Sequence, residues 1–392
     1  MLKAKLFGIG AAGNKAAITV MEEGVLDSKN TILLNTTIKD IPDNYKAAAI
    51  EFGNIRGCGK ERSIASKQMV MSLKKKNIPL MIDKDTGIVI IVVSTSGGSG
   101  SGGCPMLAKF IKQVYKAKVH IFAFTGFEDD AHELKNTVEF FKDLDKEFVV
   151  EAISNKKFLE EANGNRRVAE KLANQEFARR VSILLGNDIV DSDTNIDDTD
   201  LYKLDTMPGF MTIETTKLNK IRSVEDFNNT IQDMIDNSKS LETSKSAKAI
   251  GVIFNGSERT LSYLDRSFKV IMDAYGLAYE IYTHIQNSGD DEYLSLIVAG
   301  MKMPKDEIKE MYDKFLRSIE QVDTSEDDFF SKDFNTLTDI NTAYGLDFTQ
   351  VSKEEANKQA DDFFSQFGDL DDDIIDVDKE ANDFFSTVEK EI

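Results

Sequence analysis

The residues of this chain best suited to chemistry are the ten at 94–103, Ser-Thr-Ser-Gly-Gly-Ser-Gly-Ser-Gly-Gly. Closely spaced glycines let backbone amides approach an anion and adopt positive φ, and a helix starting just beyond adds free N–H groups and its dipole. The natural ligand of such a segment is a polyphosphate. A second segment could act on that ligand: Asn195-Ile196-Asp197-Asp198-Thr199-Asp200 places three acids within four residues. If it opens a helix, Asp197 and Asp200 share a face. Standing alone, the same run reads more readily as a helix cap with an acidic first turn.

Two further glycine turns carry weaker signals. Gly8-Ile-Gly10-Ala-Ala-Gly13-Asn14 has the GxGxxG spacing, but a dinucleotide site wants an acid at the end of the second strand to hold the ribose. That strand, at 31–34, runs into Asn35-Thr36, which argues against NAD. In Gly53-Asn-Ile-Arg-Gly57-Cys58-Gly59-Lys60-Glu61-Arg62 the Gly59-Lys60 pair suggests a P-loop, but Asn54 and Glu61 break that motif's spacing. The segment does bring basic residues near the other glycines.

The elements needed to position these residues are legible around them. Residues 87–93 are an uninterrupted, mostly β-branched apolar run, as a strand buried on both faces requires. Pro105 follows the loop, with Leu107, Phe110, Ile111 and Val114 at helical spacing, which predicts a helix carrying proline in its first turn. Strand, glycine loop and helix form one α/β unit, where a flexible Gly/Ser linker has no place. Strands at 2–7, 120–124 and 148–153 continue the alternation, and a long helix over 165–185 has Val168, Leu172, Phe177, Val181 and Leu184 on its stripe. Strands at 249–254, 278–282 and 293–299 surround a helix through Leu264, Phe268, Ile271 and Met272, giving a second, smaller α/β domain. An amphipathic helix follows Pro304, with Ile308, Met311, Tyr312, Phe315, Ile319 and Val322 on one side.

Composition bounds the rest. The 392 residues, 41% of them hydrophobic, suffice for two cores and a tail. Cys58 and Cys104 make no disulfide framework, and His120, His132 and His284 are too scattered for a metal-ligand pattern. A cytoplasmic protein without a membrane span is expected. Of the net charge of −20, residues 324–392 supply −15, from 20 acidic and 5 basic side chains. A body with so little basic excess is a poor direct ligand for nucleic acid. Within the tail an Asp-Phe-Phe-Ser unit recurs at 328–331, 362–365 and 383–386. Aromatics are depleted in purely solvated disordered segments, so the repeats read as docking motifs on an acidic, disordered tether.

Residues 97–102, Gly-Gly-Ser-Gly-Ser-Gly, resemble the signature loop of the tubulin/FtsZ superfamily of GTPases, with Ser96 in place of its first glycine. The run 57–62 is similar to the γ-phosphate loop of TubZ-type bacterial and phage tubulins, and 195–200 fits the N-x-D-x-x-D synergy loop. The resemblance covers residues 1–322. It implies a GTP-binding domain over 1–164, a central helix over 165–186, and the synergy loop and activation domain over 187–304. A C-terminal helix over 305–323 and the acidic tail over 324–392 complete the chain. It assigns GTP or GDP contacts to Gly10, Gly13, Asn14, Gly57, Gly59, Lys60, Gly97, Gly98, Ser99, Gly100, Ser101, Gly102, Asn155 and Asn174, with Mg²⁺ on the phosphates. Asn195, Asp197 and Asp200 would complete the site of the next subunit in a head-to-tail homopolymer. The implied role is segregation or positioning of plasmid or phage DNA through a DNA-binding adaptor docked on the tail. The alternatives are an FtsZ-like division GTPase, a noncatalytic GTP-binding homologue and an NAD-linked oxidoreductase built on residues 8–13.

Overall fold

A computed structural model describes residues 3–53, 57–82, 86–187, 196, 198–241, 245–286 and 291–324. Asn195, Asp197 and all three Asp-Phe-Phe-Ser segments lie outside them. The first half alternates strand and helix: β1 (Ala4–Ile9), α1 (Gly10–Glu22), β2 (Thr31–Asn35), β3 (Ala49–Glu51), α2 (Arg62–Lys74), β4 (Ile88–Ser94), α3 (Ser99–Phe110), β5 (Lys118–Thr125), α4 (Ala131–Asp143) and β6 (Val149–Ser154). Then come α5 (Asn155–Glu161), α6 (Arg166–Leu184) and α7 (Asp198–Asp205). The second half comprises β7 (Gly209–Lys217), α8 (Val224–Asp236), β8 (Ala249–Asn255), α9 (Glu258–Tyr275), β9 (Glu280–Gln286), β10 (Tyr293–Met301) and α10 (Lys305–Thr324).

The strands form one sheet in the order β3-β2-β1-β4-β5-β6-β7-β10-β8-β9. Pairing is parallel from β3 to β7, and β10 runs antiparallel to both its neighbours. The apolar run of β4 feeds both faces: Val89, Ile91 and Val93 enter the core under α2, α3 and α4, whereas Ile88, Ile90 and Val92 enter the core under α1 and α6. This two-sided burial is what a central parallel strand requires.

Two sequence expectations change here. The stripe of α6 is Ala169, Ala173, Phe177, Val181 and Leu184, all buried, whereas Val168 is exposed and Leu172 half-buried. Small residues at this face let α6 pack close to α1, so the more hydrophobic Val168 is displaced to solvent. Proline, for its part, lies seven residues into α3 and not in its first turn, because the glycine loop itself winds into helix from Ser99.

The two halves of the sheet meet weakly. β6 and β7 pair only through Val149 with Gly209 and Val150 with Phe210. Beyond that the Glu151 carboxylate accepts from Ile213 N–H at 3.1 Å, and Arg180 of α6, fully buried, fills the gap. Its guanidinium meets Glu151, Glu176 and Glu214. Glu176 also pairs with Arg179, so two cations serve three carboxylates, and burial pushes Glu151 up to about 7 despite Arg180. Burial also pulls Glu176 upward, but Arg180 and Arg179 outweigh it and hold that carboxyl at about 2.

Candidate functional site

Parallel strands β1 and β4 are neighbours, so the glycine turns at their C-terminal ends come together. A methyl built on Gly10, whose φ is +76°, would sit 3.0 Å from the Gly100 nitrogen. The loop 57–60 closes the third side, since a methyl on Gly98 would meet Cys58 Sγ and the Lys60 carbonyl carbon, each at 2.6 Å. These contacts bring together Gly10, Gly98, Gly100 and Lys60 from three separate segments. None of the glycines at 97–103 has positive φ, contrary to the expectation from the sequence. They are required for space: a methyl on Gly102 would stand 2.2 Å from the Arg62 carbonyl oxygen, and one on Gly13 2.3 Å from that of Val92. Gly97 faces open space, and Gly57 and Gly59 take φ of +106° and +59° to turn the third loop.

Among the α-helices whose N-caps are described, those at this corner differ from the others. α4, α5, α6, α8 and α9 are each capped by a side chain, from Asp130, Ser154, Asn165, Ser223 and Ser257 respectively. α1, α2 and α3, the three that open on glycine loops, have no side-chain cap among the described residues. Their first-turn amides therefore need an outside acceptor, and an anion is the acceptor that the helix dipoles favour. Around them, Ser99 Oγ lies 2.7 Å from Thr36 Oγ1 and 3.2 Å from Cys58 Sγ. Ser101 Oγ donates to the Gly97 carbonyl. Asn14 is buried, donating from Nδ2 to the Leu34 carbonyl at 3.3 Å, while its Oδ1 has no partner among the described residues.

Lys60 is not free in this arrangement. Its Nζ pairs with Asp130 at 2.7 Å and Glu133 at 3.3 Å, and these carboxylates raise its pKa. The acids of the loop after β5 are shared out: Asp130 takes Lys60, Asp129 takes Arg166 at the start of α6, and Glu128 takes Lys156 and Lys314. Asn136 fastens the same region, donating to the carbonyls of Lys60 and Ser96 at 3.0 Å each. Neither it nor this acid loop is singled out by sequence motif, although Asp130 three residues before Glu133 is a readable cap signal.

The base-side candidates are placed separately. Asn155 is the first residue of α5, directly after β6 with no intervening loop, and Asn174 is half-buried on α6. Asp200 is remote from all of these. It lies in the first turn of α7, which packs on β8 and β10, and its charge helps raise the Tyr282 hydroxyl to about 12, behind the larger effects of Glu280 and burial. α6 has 19 residues, about 28 Å at 1.5 Å each. It starts at the glycine-loop edge of the sheet and runs to the other, because β7 then leaves parallel to β6. The described acid and the glycine loops are therefore at opposite ends of the molecule.

A parallel sheet bearing three uncapped helix starts, extended by β7-β10-β8-β9, is a fold of tubulin/FtsZ type. In sequence and in fold the chain is similar to proteins of the tubulin/FtsZ superfamily. It is 28% identical over 213 residues to the tubulin-like protein TubZ of Clostridium botulinum C phage, a match covering 51% of this chain and 55% of that protein. The cell division protein FtsZ of Mycoplasmopsis pulmonis is 25% identical over 339 residues, covering 81% and 83%. In structure, the GTPγS-form protofilament of Bacillus thuringiensis serovar israelensis TubZ superposes with a TM-score of 0.67 at 17% identity, over 82% of this chain and 92% of that one. No family model matches the chain.

Proposed function

We propose that this chain is a GTP-dependent, filament-forming GTPase of TubZ type, whose active site is completed between successive subunits. The separation of Asp200 from the glycine loops supports this. Glycine loops able to hold polyphosphate occupy one end of the molecule, and Asp200 occupies the other. Head-to-tail stacking is the arrangement that joins them. In that arrangement residues 1–164 bind nucleotide, 165–186 connect, 187–304 present Asn195, Asp197 and Asp200 to the next subunit, 305–323 form the last helix, and 324–392 extend as the tail.

The residues fit a nucleotide. Amides at the starts of α1, α2 and α3 meet the phosphates, Asn14 supplies an open buried acceptor, and Asn155 and Asn174 bind the base. Among the described residues no three His, Cys, Asp or Glu side chains cluster as a metal site, but a Mg²⁺ ion held by phosphate oxygens and water needs no such cluster. The hydroxyls of Thr36 and Ser99 are oxygens it could use; once bound, the ion offsets charge on the transferring phosphate. Asp200 and Asp197 then orient the attacking water, and fixed amides stabilise the charge that develops. A filament that disassembles on hydrolysis can move plasmid or phage DNA through an adaptor attached to the acidic tail.

The test is Asp200→Ala. It should bind GTP as the parent chain does, lose most hydrolysis and leave long, static filaments. Parental turnover in that variant would remove the assignment, and binding of NAD in preference to GTP would replace the whole reading.

A further inference from the structure

Proline inside a helix removes one N–H and orphans the carbonyl four residues earlier. In α3 that residue is Pro105, and the carbonyl is that of Ser101, inside the glycine loop. The structure supplies a replacement donor: Arg62 Nη2 reaches the Ser101 carbonyl at 3.2 Å. The adjoining Gly102 carbonyl accepts from Ser66 Oγ at 2.8 Å. Arg62 is only 8% exposed and is oriented by two carboxylates of α4, Glu139 at 3.1 Å and Asp143 at 2.5 Å. Its own backbone oxygen packs where a side chain on Gly102 would go. One arginine thus links the end of the 57–61 loop, the C-terminal turn of α4 and the turn of α3 that opens on the phosphate position.

We infer that Arg62 is a positioning residue for nucleotide binding, replacing the helix hydrogen bond that Pro105 deletes and so holding the amides at 99–101 toward the phosphates. The inference rests on the GTP-binding reading above. A guanidinium suits the task because it serves a carbonyl and two carboxylates from one rigid plane, which a lysine cannot do.

The test is a double-mutant cycle in the full chain, read by dissociation of a fluorescent GTP analogue and by thermal melting. Arg62→Gln should speed dissociation at least tenfold, with Arg62→Lys intermediate. Pro105→Ala gives Ser101 its helix donor back, so adding it to Arg62→Gln should recover most of that loss, while Pro105→Ala alone leaves dissociation within twofold. Asp143→Asn keeps the arginine and only loosens it; it should give a two- to fivefold effect that Pro105→Ala also reverses, and it serves if Arg62→Gln does not fold. Parental dissociation in the Arg62 and Asp143 variants, or losses that Pro105→Ala leaves untouched, would overturn the inference. No analogue binding by the parent chain would instead refute the GTP reading itself.

Discussion

Lys314 donates to Glu128 at 2.6 Å, joining α10, the last described helix, to the loop that also supplies Asp130 to Lys60. Glu128 adopts φ of +65°, an uncommon conformation for a side-chain-bearing residue, and Lys156 approaches it at 3.4 Å from α5. A short acidic loop therefore connects the glycine-loop corner to the helix from which the tail departs.

Lys314→Met should lower stability by about 1 kcal/mol, since the pair is largely shielded but Glu128 keeps Lys156. Burial works against the Lys314 charge, but Glu128 and Glu310 raise its pKa well above the ordinary value. The contribution is thus complete below the ordinary lysine range and is lost only as pH climbs through the raised value. The difference between parent and variant should accordingly stay constant from about pH 6 to 9. Urea unfolding at several pH values checks both statements.

Glu151 makes a prediction of opposite sense. Its folded pKa is raised to about 7, so the folded state keeps a proton that the unfolded chain has released. The stability it contributes is present below the ordinary glutamate range and declines as pH rises to about 7. Glu151→Gln mimics the protonated form and should flatten that decline; parallel melting curves for parent and variant would contradict it. Glu176 runs the other way: held at about 2, it contributes above its ordinary pKa and loses that contribution as pH falls toward 2.

The glycines of the loop should not respond alike. Gly102→Ala forces a methyl against the Arg62 carbonyl oxygen, an overlap that typically costs about 1–3 kcal/mol, and should abolish nucleotide binding. Gly97→Ala points into open space with ordinary φ and should change stability by no more than about 0.5 kcal/mol. Chemical denaturation of the two variants side by side distinguishes a steric requirement from a conformational one.

Lys60→Ala removes pairs in which Lys60 itself and Asp130 are substantially exposed, so stability should shift by less than about 1 kcal/mol. If Lys60 leaves Asp130 to meet a γ-phosphate, the variant should lose preference for GTP over GDP. Equal titration ratios for parent and variant would assign Lys60 to the ion pair alone.

Much of this organisation is legible in the sequence because it rests on local pattern. The unbroken apolar run of β4 admits only a buried strand, and the glycines after it admit a close ligand. Partners distant in sequence leave no such trace. Arg62 finds Glu139 and Asp143 across 77 and 81 residues, and Asn136 finds Ser96 across 40. The role of Pro105 depends on where the helix begins, and that is decided by tertiary packing of residues 99–102. β7 and α8 escape a reading by motif alone, although Ser223 and Asp226 form a capping box that sequence could have disclosed.

A site divided between subunits is tested by GTP turnover against protein concentration with light scattering recorded in the same cuvette. Below a threshold concentration both hydrolysis and scattering should vanish, and above it they should rise together. A rate strictly proportional to concentration, with no scattering, would mean that one molecule hydrolyses GTP unaided, and would contradict the divided site.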